Sequence, residues 1–181
     1  MSEMVMYSQL LANIAVIAGA VIAVLQLIRM RKSNELQEKS ITAGHERRKK
    51  QATIEFYNSI NKESGPLMQE IRQKCGKNAI PLSQLADDPD LREKIKRYLS
   101  LMERFSVGIH TNVYDLNVYD MMRGTVTIQS YHQLHDYIDQ RRKETLIPAL
   151  YVEFEELTRK LEEMRKNKEA ATRRESVSLR T

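Results

Sequence analysis

The sequence lacks tryptophan and has a single cysteine, Cys75, among its 181 residues. One cysteine excludes an intramolecular disulfide and, by itself, a thiolate-rich metal site, which fits a reducing compartment. Also missing are a glycine-rich phosphate loop, a His-Glu-x-x-His pair and any acid cluster at metal-binding spacing, so the usual seats of nucleotide or metal chemistry are not there. Val126 to Ile128 alternates weakly, but no second run exists to pair with it, which argues against a sheet. The reading is an all-α, non-enzymatic chain with no cofactor and no bound metal.

Only one long stretch is free of charge. From Gln9 to Ile28 the sequence QLLANIAVIAGAVIAVLQLI runs twenty residues without a charged side chain. At about 1.5 Å per residue a helix of that length spans about 30 Å, the thickness of a bilayer core. A cleaved signal peptide would have a basic start and a shorter apolar run, whereas Glu3 precedes this segment and Arg29, Arg31 and Lys32 come directly after it. The expectation is a membrane anchor. Lys and Arg resist translocation, so the N-terminus is expected outside and the rest in the cytoplasm, at the inner (cytoplasmic) membrane.

Placed at helical spacing, this segment has two unlike faces. Ser8, Ala12, Ala15, Gly19, Ala23 and Gln26 share one stripe, and Leu10, Ile14, Ile17, Val21, Leu25 and Ile28 lie opposite. Small residues let helix backbones approach closely in lipid, so the first stripe is the candidate seam of a homo-oligomer. Asn13 and Gln26 are amides that are costly in hydrocarbon without a partner helix or water, and they become interhelical glue or pore lining.

The net charge of +5 is uneven. Residues 29–50 hold eight Lys/Arg against three Glu, a balance of +5, and residues 159–181 hold eight against four, a balance of +4. The remainder is mildly acidic. The segments expected are a short extracytoplasmic N-terminus over 1–7, a transmembrane helix over 8–29, a basic helical stalk over 30–62, a helical bundle over 63–165 and a disordered basic tail over 166–181.

Within the bundle, Gly44 is a candidate break, and Pro66 opens a short helix that stops near Gly76. Ser83 is a candidate cap after Pro81. Asp87, Asp88 and Pro89 form a strong helix start, since acids suit the N-terminal dipole and proline fits the first turn. The helix they open carries Leu91, Ile95, Tyr98, Leu99, Met102, Phe105 and Ile109 at steps of three and four, the pattern of a central core helix. Val113 to Met122 reads as a short helix with Gly124 as a hinge. A further helix runs through Tyr131, Leu134, Tyr137 and Ile138, and Pro148 opens the last, with Leu150, Phe154, Leu157, Leu161 and Met164 in one stripe.

The QATIEFY segment, the YLSLMERFSVGI core helix and the YIDQRRKE…PALYVEFEEL ending, behind a membrane helix, resemble an uncharacterised bacterial family of membrane-anchored helical domains of unknown function. The resemblance covers most of residues 8–165 and implies no catalytic residues. Such proteins are similar to small transmembrane effectors of anti-phage systems, which implies membrane perturbation or channel activity.

Weaker features have bland readings. His132 and His135 with Asp136 could share a metal only with further ligands. Cys75 sits in an apolar stripe, and Glu153, Glu155 and Glu156 read as a solvated helix face. The four adjacent charges Arg47, Arg48, Lys49 and Lys50, and the run Arg141, Arg142 and Lys143, are solvated or met by an anion such as nucleotide or nucleic acid. Tyr57 and Tyr131 are candidates for stacking on bases. The function expected is an oligomeric single-pass membrane effector, an ion channel or pore gated by an anionic ligand. The alternative is a membrane-tethered adaptor for a partner protein, without channel activity.

Overall fold

The computed structural model describes the backbone of residues 2–76 and 78–178, and the side chains of 19, 25–76, 78–83 and 85–173. Among them all regular structure is helical: α1 (Ser2–Cys75), α2 (Leu82–Asp87), α3 (Pro89–His110), α4 (Leu116–Thr145) and α5 (Val152–Ser178). The chain divides into two units, Met1–Arg47 and Arg48–Thr181. Among the described residues no helix is long and apolar enough to cross a membrane; residues 8–18 and 20–24, most of the expected span, lie outside the described side chains.

In the first unit the side chains of residues 25–43 are all exposed. They include Leu25, Leu27, Ile28, Met30, Leu36 and Ile41. Helix α1 passes Gly44 without a break.

The second unit is a bundle around α3. Asp88 caps this helix by accepting from the Leu91 amide at 2.9 Å, and Pro89 occupies its first turn. All seven residues of the predicted stripe, Leu91 to Ile109, are buried. Phe105 packs against Tyr119 with ring centroids 4.4 Å apart and stacks on Tyr114. Tyr57 from α1 meets both Phe105 and Tyr119 edge-on. From α5, Phe154, Leu157 and Leu161 are fully buried, completing the core.

Several local expectations give way to packing. Pro66 lies inside α1 and opens no new helix. A proline there removes one backbone bond and crowds the preceding turn, at a cost of about 3 kcal/mol. Burial of Tyr57 and Ile60 before it and of Met68 and Ile71 after it holds the helix together. Helix α1 ends at Cys75, where Gly76 takes a positive φ of 75° and its amide donates to the Arg72 carbonyl.

The N-cap of α2 is Pro81, so Ser83 lies within the helix. The loop behind α1 is tied to α4 by Gln133, whose Nε2 donates to the Gly76 carbonyl at 2.8 Å.

Gly124 is no hinge. Helix α4 runs through it, and a Cβ there would clash with the Asp120 carboxylate and crowd Arg165 of α5. Helix α5 begins at Val152, four residues beyond Pro148, and two of its first amides are capped from α3. The Glu103 carboxylate accepts from Phe154 N at 2.8 Å and Glu153 N at 3.2 Å. Helix α5 then continues to Ser178, past the expected start of a disordered tail. Good helix formers fill KNKEAATRRE, and extending a packed helix avoids nucleation. Lys168 and Arg165 further bind the buried Asp120 of α4.

Candidate anion-binding surfaces

Side chains of the proposed membrane seam at Ser8, Ala12, Asn13, Ala15 and Ala23 lie outside the described residues. Gly19 and Gln26 are exposed, and a Cβ added at Gly19 would meet nothing within 4 Å.

The basic run Arg47 to Lys50 straddles the boundary between the units. Its Lys49 donates from Nζ to Asn112 Oδ1 in the turn between α3 and α4. Asn112 has a φ of 63°, a conformation that asparagine tolerates better than most residues. One turn further along α1, the buried Thr53 hydroxyl donates to the Lys49 carbonyl and accepts from the amide of Asp115, the N-cap of α4, at 2.7 Å. Lys50 is exposed.

Arg141, Arg142 and Lys143 occupy the other end of α4. Twenty-six residues separate Asp115 from Arg141, about 39 Å of helix. The two basic clusters are therefore distinct surfaces.

At that far end the cations have different duties. Arg142 is largely buried and structural: Nε donates to the Leu150 carbonyl at 2.9 Å and Nη2 pairs with Glu155 at 2.7 Å, bracing the turn between α4 and α5. Lys143 is exposed. Arg141 pairs with Glu144 at 2.7 Å, yet its Nε is buried without a hydrogen-bond partner in the protein. It lines a partly enclosed cavity of about 140 Å³ between α2, α3 and α4.

The other polar walls of that cavity are Arg92 and Lys96 from α3 and Tyr137, Gln140 and Glu144 from α4, over an apolar side of Leu82, Leu85 and Ala86. Gln140 and Arg141 both hold Glu144, and the Arg141 guanidinium keeps that carboxyl below its usual range. Tyr137 is buried and its hydroxyl has no partner in the protein. Burial pushes this phenol up to about 12, so at neutral pH it is an O–H donor. Arg92, Lys96 and Gln140 carry no signal in the sequence, since they lie on two helices and only the packing unites them.

A second, open groove runs beside Pro66, where Arg72 and Arg123 face the amides Asn61, Gln69 and Gln73. His132 and His135 line one open groove beside Tyr131 but bond different carboxylates: His132 Nε2 bonds Glu162 at 2.6 Å, while His135 lies near Asp136 and Asp139. Among the described residues no group of three or more His, Cys, Asp or Glu is placed to hold a metal.

Cys75 packs against the core, and burial pushes its thiol up, away from the thiolate. Tyr57 and Tyr131 are core residues and offer no face to a base. Glu153 and Glu155 are not merely solvated, because they pair with His110 and Arg142.

Fold and surfaces define an all-helical domain with cationic features and no recognisable catalytic constellation among its described residues. The chain belongs to the DUF4760 family, a domain of unknown function, whose family model matches residues 13–161. No curated protein and no solved structure matches it.

Proposed function

We propose that the chain is an oligomeric, single-pass effector of the cytoplasmic membrane that forms or gates a pore, under control of an anionic ligand at its helical domain. The observation that carries this reading is the charge-free run from Gln9 to Ile28, with Arg29, Arg31 and Lys32 immediately behind it. Such a run inserts, and such flanks keep the downstream chain in the cytoplasm.

Two further observations support it. Leu25, Leu27, Ile28, Met30, Leu36 and Ile41 are exposed. Lipid covers the first of these, and neighbouring copies of α1 cover the rest. The domain also offers cationic surfaces, Arg48 to Lys50 near the start of α4 and the cavity beside Arg141 near its end, that suit the anionic groups of a nucleotide or nucleic acid. Defence against phage is the setting that the resemblance suggests.

The test is ion flux across liposomes holding the purified protein, with and without short oligonucleotides, at two salt concentrations. Flux that oligonucleotides alter, less so at high salt, is the expected result. No flux from folded, inserted protein under any condition would overturn the pore and leave the tethered adaptor. Replacing residues 8–29 with an unrelated anchor separates the same two readings, because an adaptor keeps its function and a pore loses it.

A further inference from the structure

Resting on the reading that the domain takes an anionic ligand, we propose that the cavity between α2, α3 and α4 binds a single terminal phosphate group. The charge balance comes first. Arg92, Lys96 and Arg141 face one carboxylate, Glu144, so the lining carries a net +2. Glu144 is already held by Arg141. Arg92 has no ion-pair partner among the described residues, and Lys96 has only the exposed Glu93 at 3.5 Å, a pairing of little strength in water. A doubly negative group matches what is left.

Donor chemistry agrees with charge. The Tyr137 hydroxyl, in a side chain only 3% exposed, and the buried Arg141 Nε both lack a partner in the protein. A buried donor left unpaired is unfavourable, and both residues that carry one line the same small cavity. Phosphate oxygens are strong acceptors, so an occupant of this class suits a lining rich in cationic donors, with the guanidiniums supplying charge-assisted bonds.

Size selects how the group arrives. The cavity measures about 140 Å³, and an apolar cavity of about 150 Å³ takes one benzene ring. A five-heavy-atom phosphate fits, whereas a whole nucleotide does not, so an ester tail must leave through the opening. An internal phosphodiester has chain on both sides and cannot enter.

The test is thermal unfolding of the full chain in detergent, titrated with inorganic phosphate against chloride at matched ionic strength, for the wild type and three variants. Phosphate is expected to raise Tm saturably in the wild type. Arg92→Gln should weaken binding at least tenfold and Tyr137→Phe several-fold, while Lys166→Gln, an exposed cation of α5 outside the lining, should titrate like the wild type. Tyr137→Phe is expected to unfold no earlier than the wild type without phosphate, so its loss of binding is not loss of fold.

Variants at Arg92 and Tyr137 that titrate like the wild type, or an equal Tm shift from chloride, would overturn the site. Oligonucleotides with a 5′-phosphate or a 5′-hydroxyl distinguish the source. Preference for the phosphorylated end, lost in Arg92→Gln, assigns the ligand to nucleic acid ends, and binding of inorganic phosphate without such preference assigns it to the free ion. Phosphate binding with no ion flux in liposomes would leave the site standing and remove the pore. Flux that oligonucleotides alter, with no phosphate binding, would do the reverse.

Discussion

Gly108 stands on α3 under the ring of Tyr114, which stacks on both Phe56 and Phe105. A Cβ at Gly108 would clash with that ring. Gly108→Ala should therefore destabilise the domain by about 1–3 kcal/mol, as overpacking does, read as a lower urea midpoint with unchanged slope. Nothing around Gly108 in the sequence signals this role, because the ring arrives from a turn six residues later. Asp88, in contrast, announces itself beside Pro89. Its carboxyl is held below the usual range, first by the hydrogen bond from Lys74 and then by the Leu91 amide. A depressed carboxylate contributes stability above its unfolded pKa and loses it as pH falls through the lower folded value. Stability should thus decline on acidification below about pH 4, and Asp88→Asn, which keeps a competent N-cap, should show a shallower decline in Tm between pH 5 and 3.

The beginning of α5 depends on another helix. Glu103 supplies from α3 the acceptors that this helix lacks locally. Burial raises that carboxyl while the two amide bonds oppose the rise. Glu103→Ala should cost about 1–2 kcal/mol, the range for a lost cap, and Glu103→Gln less, as measured by chemical unfolding. Here the sequence is informative in proportion to periodicity. The α3 stripe extends over five turns with a capped start, and all seven of its residues are buried. Breaks at Gly44, Pro66 and Gly124 are local inferences from residue type. They yield where buried side chains on both sides, or a partner helix needing close approach, outweigh the local preference. The Arg141 run points to one wall of the cavity; the opposite wall, Arg92 and Lys96, joins it only through the packing of α3 on α4.

At the scale of the molecule the question is assembly. A side chain at Gly19 meets nothing within 4 Å in the single chain, so Gly19→Leu should leave the fold intact and disrupt only contacts between copies. Native mass measurement in detergent should then give a smaller oligomer, and an unchanged mass would remove Gly19 from the seam. The exposed length of α1 has a dynamic consequence too. Over residues 30–43, beyond the proposed span, all side chains are exposed, so the amides there are protected by helical bonds alone, and such helices open readily. Deuterium should enter that stretch rapidly and be held back from Thr53 onward, where side chains are buried. Assembly into a bundle would slow exchange selectively at the covered positions, so a 3.6-residue rhythm in the uptake would map the interface.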